Sequence, residues 1–141
     1  MRPTSILFLG TYYAPEPAGS GPVVTDMAAW LADHGWDVTV STLRPSYPPT
    51  VVFEGFRRGE NDRQSVNGVR VFRRYSHPPR GGGLLQRGRL ELMAFGQSLV
   101  TACRKEFRRA ECVVSICPSI LIVAAGWLFA GRKRYHIVVI H

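Results

Sequence analysis

Ile6-Leu7-Phe8-Leu9-Gly10 is a continuous apolar run, the pattern of a strand buried on both faces. A loop follows from Thr11 to Gly21. Val24, Met27, Ala28 and Leu31 then recur at the spacing of one helical face. Pro22 suits the first helical position, with Ser20 or Gly21 as cap. His34 and Gly35 end the helix, glycine fitting the left-handed residue beyond it. Trp36 to Thr42 reads as a second strand, Val38 and Val40 alternating with Asp37, Thr39 and Ser41.

The next stretch is irregular. The prolines between Arg44 and Pro49 exclude helix and central strand, and Glu54 to Gln64 is a polar, charged excursion expected to be mobile. Asn67-Gly68 predicts a tight turn into a third strand, Val69 to Arg73. Gly81-Gly82-Gly83 is a flexible joint. A long helix follows, from about Leu85 or Leu90 to Arg109, with Leu92, Phe95, Leu99, Cys103 and Phe107 along its apolar face. Cys112 to Ile116 is the fourth strand, broken by Cys117-Pro118. Ser119 caps a short helix, Ile120 to Ala130, that is apolar nearly all round and so is expected to be buried. Tyr135 to Ile140 is the fifth strand.

Strands alternating with helices predict an α/β fold around a parallel sheet. In the order third, second, first, fourth, fifth, the sheet reverses between its first and fourth strands. Ligands bind there, beyond the carboxyl ends of the strands. That rule selects Thr11 to Gly21 and Ser115 to Ser119, and it brings His141 to the same crevice. In the first loop, Gly19-Ser20-Gly21 lets backbone approach a ligand closely, and the following helix directs free N–H groups and the positive end of its dipole at an anion.

Composition narrows the classes. The 141 residues are 45% hydrophobic and 20% charged, which describes one globular domain with a real core. No apolar run approaches the roughly 18–20 residues of a membrane span, and the amino-terminus lacks the apolar core of a secretory signal. Three cysteines without metal-ligand spacing fit reduced thiols in a cytosolic protein; no metal site is read. The net charge is +8, almost all of the positive residues arginine, which favours anionic partners. Neither an aromatic-interleaved basic motif nor a nucleic-acid-binding fold is evident, so nucleic acid is not the expected partner. The first βα turn lacks G-x-G-x-x-G, which disfavours a dinucleotide dehydrogenase.

The ordered set Ile6 to Glu16, Gly19-Ser20-Gly21, Leu31 to Trp36, Asp37 to Val40 and Asn67 to Val71 resembles the amino-terminal domain of family 4 glycosyltransferases. These are retaining enzymes of GT-B architecture, and the likeness is greatest to the branch building exopolysaccharide and cell-envelope glycans. The resemblance runs over almost the whole chain. It implies a Rossmann-like parallel sheet with helices on both faces. It further implies transfer of a sugar from a nucleotide-sugar donor to a glycan or lipid-linked acceptor, with no cofactor.

By that resemblance Gly19, Ser20 and Gly21 approach the donor diphosphate, and His141 is the catalytic histidine near the transferred sugar. Tyr13, Glu16, Ser115, Cys117 and Pro118 lie on the acceptor side. Residues 1–141 are expected to be one acceptor-side domain, truncated before the nucleotide-sugar-binding domain and inactive alone. A cytoplasmic location follows, with peripheral contact at an anionic membrane through Leu84, Leu85 and the basic residues Arg80 to Arg89. From the residues alone another class stays open: a non-catalytic Rossmann-like module that binds a nucleotide or a partner.

Overall fold

The computed structural model describes residues 4–17, 19–47, 53–74, 83–104, 107–117, 119–131 and 135–140. Its strands are β1 (Ser5–Leu9), β2 (Asp37–Leu43), β3 (Arg63–Val66), β4 (Val69–Arg74), β5 (Cys112–Cys117) and β6 (Tyr135–Ile140). Its helices are α1 (Gly21–Asp33), α2 (Leu84–Cys103) and α3 (Ile120–Ala130). They form one six-stranded sheet in the order β3-β4-β2-β1-β5-β6. All pairings are parallel except β3 with β4. The expected α/β architecture and strand order are present, with one strand added at the edge.

Two cores sandwich the sheet. On one face Ile6, Phe8, Val38, Val40, Val69, Val71 and Val114 pack against Val24 and Ala28 of α1. On the other, Leu7, Leu9, Leu43 and Val113 meet Ala94 of α2 and Ile122 and Ala130 of α3. Successive strand residues point to opposite faces, so β1, buried on both sides from Ile6 to Leu9, is apolar at each of those positions. β2 is central too, yet it buries Thr39, Ser41 and Thr42. Ser41 Oγ meets Thr101 Oγ1 of α2 at 2.6 Å, which satisfies a polar group that burial would otherwise penalise.

Four expectations need correction. The polar excursion is not loose throughout, since β3 pairs antiparallel with β4 in the register Val66↔Val69. Asn67 and Gly68, at φ 51° and 76°, make the two-residue turn, and its twist matches that of a hairpin. Arg44 grips both oxygens of Asp62 at 2.7 Å, tying the preceding segment to the end of β2.

Second, α2 stops at Cys103, short of Arg109. Third, its inward face is Ala94, Gln97, Ser98 and Thr101, while Leu92 and Leu99 point outward. Small and polar side chains let this helix lie close on the sheet, with Ser98 and Thr101 donating back to Ala94 O and Gln97 O. Fourth, α3 is not buried all round: Ile120, Trp127 and Leu128 are exposed. Only one side of α3 meets the sheet, and β6 is the edge strand beneath it. Gly81 and Gly82 of the expected joint lie outside the described residues, and Gly83 caps α2.

Candidate anion site at the sheet reversal

The sheet changes direction of progression between β1 and β5, where the crossover through α1 runs one way and that through α3 the other. The loop after β1 and the start of α1 therefore stand beside the end of β5, as the sequence predicts. Gly10 sits against Ile116: a Cβ built there would lie 3.4 Å from Ile116 Cγ1. The loop must pass this closely for α1 to begin over the first core.

Each glycine of the Gly19-Ser20-Gly21 step has its own cause. Gly19 has φ +66°, and a Cβ on it would stand 3.2 Å from the Tyr12 ring. Gly21 opens α1, and a Cβ there would lie 3.0 Å from the carbonyl oxygen of Glu16. The helix start is thus pressed onto the chain that precedes it. Ser20 is the cap by position, but its hydroxyl makes no capping bond. Its carbonyl accepts from Val24 N at 3.0 Å. Among the described residues the N–H groups of Ser20, Gly21 and Val23 have no acceptor. No acid stands in the first turn of α1.

The other helix N-terminus at this reversal is already occupied from within the chain. Ser119 Oγ accepts from Ile122 N at 3.2 Å, as a cap should. The same hydroxyl donates to Glu91 Oε2 of α2 at 2.6 Å, placing a carboxylate beside the positive end of α3. α1 has no acid in its first turn and no side-chain cap bond. Of the two helices flanking the crevice, α1 is the one whose N-terminus receives no side-chain cap bond among the described residues.

Glu16 is 3% exposed, and its carboxylate is committed to holding the loop. Oε2 accepts from Tyr13 N at 3.1 Å, and Oε1 accepts from Ser46 N at 2.9 Å and Tyr47 N at 3.0 Å. Burial pushes its pKa up to about 7, against the pull of these three bonds and of Arg73. From the opposite side, Arg73 Nη2 donates to Ala14 O at 2.8 Å, and Nη1 binds Asn61 O and Gln64 Oε1. Thr25 Oγ1 accepts from Ala14 N at 3.0 Å and donates to Gly21 O at 2.7 Å. The segment after β2, together with β4 and α1, thereby clamps the loop at Ala14 and Glu16. Sequence reasoning missed Arg73 and Thr25, because a basic residue at a strand end and a threonine on a helix carry no local signature.

Tyr13 is buried, with its phenol pKa raised by that burial. Tyr12 is half-buried over Gly19 and stands 5.7 Å, centroid to centroid, from Tyr47. Arg87 and Glu91 of α2 are among its charged neighbours.

Ser115 is fully buried, its Oγ 2.9 Å from His136 Nε2 of β6. Burial lowers the His136 pKa. Gly126 of α3 makes room for this pair, since a Cβ there would overlap Ser115 Oγ and stand 2.7 Å from His136 Nε2. Cys117 is the last residue of β5. Pro118 and His141 lie outside the described residues. Among the described residues there is no group of three or more histidine, cysteine or acidic side chains able to hold a metal ion. No described helix is long and apolar enough to cross a membrane.

No family model matches the chain. Over 51 residues, 36% of the chain, it is 41% identical to a protein of Escherichia coli (strain K12) named as a colanic acid biosynthesis glycosyl transferase, WcaI. The matched stretch is 12% of that protein's length. This partial likeness supports a glycosyltransferase relationship.

Proposed function

We propose that the chain is the acceptor-side domain of a retaining glycosyltransferase of GT-B type. The enzyme moves a sugar from a nucleotide-sugar donor to a glycan or lipid-linked acceptor in polysaccharide or cell-envelope synthesis. The observation that carries this reading is the acid-free N-terminus of α1 at the sheet reversal, beside an α3 N-terminus that Glu91 already neutralises. The partial likeness to a colanic acid glycosyltransferase supports it.

Glycosyl transfer builds negative charge on the departing diphosphate. Fixed backbone donors and a helix dipole stabilise that charge without reorganising when it forms. We assign that task to the N–H groups of Gly19, Ser20, Gly21 and Val23. Glu16 and Arg73 act as positioning residues that hold the loop, and Tyr12 and Tyr13 shape its inner wall. His141, by the resemblance, stands near the transferred sugar. Donor specificity and turnover belong to a second domain of the complete enzyme, so these 141 residues alone are expected to bind a diphosphate weakly and transfer no sugar.

The test is a titration of the ¹⁵N-labelled chain with UDP and GDP, following backbone amides. Saturable shifts at Gly19 to Val24, lost in Gly21→Val with the fold intact by circular dichroism, are the expected result. Nucleotide-independent drift, or unchanged binding in Gly21→Val, would refute the assignment. A lipid-linked acceptor also gains support from the start of α2, where Leu84 and Leu85 are 89% and 91% exposed beside the exposed Arg87 and Arg89. Adjacent apolar and basic side chains are what an anionic membrane surface attracts.

A further inference from the structure

A cavity of about 510 Å³ opens at the sheet edge, away from the Gly19-Ser20-Gly21 loop. Its walls come from β4, the segment entering β3, the carboxyl half of α2, and Phe107. The volume falls within the range of small-molecule sites, roughly 300–1,000 Å³. Strand register sets its chemistry. Arg63 of β3 stands opposite Phe72 of β4, and Arg74, two residues on, shares that face. Arg104, at the end of α2, faces them across the opening.

Among the described residues the lining carries more positive than negative charge. Asp62 is the one acid among the lining residues, and Arg44 holds both of its oxygens at 2.7 Å. Arg74 and Arg104 form no ion pair with a described residue. Among the described residues, the guanidinium of Arg63 makes only a cation–π contact, 5.5 Å from the centroid of Phe72. The guanidinium of Arg73 turns instead toward Ala14, Asn61 and Gln64.

The inner wall adds a polar group. Gln97 is 6% exposed, lines the cavity, and its side-chain amide makes no hydrogen bond with a described residue. Its amide atoms still touch solvent through the opening, where a ligand can reach them. Its neighbour Thr101 is by contrast satisfied twice, by Ser41 and by Gln97 O. Phe72 and Phe107, edge to face at 4.9 Å, and Val100 supply an apolar side.

We propose that this cavity is a second anion site, separate from the diphosphate loop, for a small phosphate ester. Arg63, Arg74 and Arg104 grip the phosphate, since guanidinium forks match phosphate oxygens in pairs. Gln97 bonds a hydroxyl or carbonyl of the ester, and Phe72, Phe107 and Val100 cover its non-polar part. Occupancy relieves the mutual repulsion of the three guanidiniums and gives the Gln97 amide a partner.

The experiment titrates the 141-residue chain with inorganic phosphate and with glucose 1-phosphate at low salt, reading backbone amides and thermal midpoint. Glucose and chloride serve as controls. The expected result is saturable shifts at Phe72, Gln97, Thr101 and Arg104, with a rise in midpoint that neither control reproduces. R74A/R104A should weaken binding at least about tenfold, the usual scale for losing charged hydrogen bonds. Gly21→Val should leave it unchanged. If the double variant does not fold, Arg104→Gln and Arg74→Gln are read singly. Shifts confined to residues 19–24 would overturn this site while sparing the reading of the loop. Equal shifts with chloride, or affinity unmoved in every arginine variant, would overturn it outright.

Discussion

Glu16 gives the sharpest prediction, because its environment pulls its pKa in two directions. Three backbone N–H groups point at its oxygens, which favours the carboxylate. At 3% exposure almost no water solvates that charge, which favours the acid. Desolvation wins, lifting the carboxyl from an ordinary 4.5 to about 7. A carboxyl with a higher pKa when folded binds a proton more tightly in the native state than in the unfolded one. Its stabilising effect is complete below pH 4.5 and is lost as pH rises through 7. At about 1.4 kcal/mol per pH unit of separation, the loss amounts to roughly 3 kcal/mol.

Glu16→Gln isolates this effect because glutamine does not titrate. Urea unfolding of both proteins at pH 4.5, 5.5, 6.5 and 8 gives the difference in stability between them, from which shared titrations cancel. That difference should move against the wild type by roughly 3 kcal/mol across the window. The acid form should also place its proton on Oε2, which accepts one N–H, rather than on Oε1, which accepts two. Hydrogen-exchange protection of the Tyr13 amide should then fall below pH 7, while that of Ser46 and Tyr47 persists. A ¹³C-carboxyl midpoint at or below 4.5, or a stability difference that favours the wild type as pH rises, would refute the reasoning. Either would mean that the three hydrogen bonds outweigh desolvation.

Two further outcomes are expected. Gly126→Ala should destabilise the fold by about 1–3 kcal/mol, because its methyl overlaps Ser115 Oγ and crowds His136; adding Ser115→Ala should restore part of the loss in thermal unfolding. Leu84→Gln/Leu85→Gln should leave stability within about 0.5 kcal/mol, both side chains being exposed. It should nevertheless reduce flotation of the chain with vesicles containing phosphatidylglycerol at low salt, and equal flotation of both proteins would remove the membrane reading.

What the sequence made legible follows from the range of the forces involved. Periodicity places β1, α1, β2, β4, β5, α3 and β6, because burial on one or two faces writes itself locally into alternation, helical spacing or a continuous apolar run. It misreads α2 for an identifiable reason. Leu92 and Leu99 form the more apolar stripe, yet the helix turns Ala94, Gln97, Ser98 and Thr101 inward. There close approach and the Ser41–Thr101 bond replace apolar area. A polar partner on β2, 60 residues away, leaves no trace in a local window. β3 escapes for a similar reason, since RQSV carries little apolar pattern and depends on the Asn67-Gly68 turn to bring it to β4.

The candidate site divides along the same line. Glycine at residues 19 and 21 is read from the sequence as letting backbone approach a ligand; in the fold the close approach at these positions, and at Gly10, is to the chain's own Tyr12, Glu16 and Ile116. The function of Glu16 could not be read that way. Beside two prolines it resembles a solvated loop acid, and only the fold brings the amides of Ser46 and Tyr47 to it. The same asymmetry governs the two helix N-termini. Their dipoles are equivalent in kind, so helix position alone cannot say which one awaits an external anion. The long-range Glu91–Ser119 contact separates them, giving α3 an acid from α2, while the first turn of α1 carries none. The anion site proposed at α1 therefore rests on charge compensation across elements rather than on the presence of glycine.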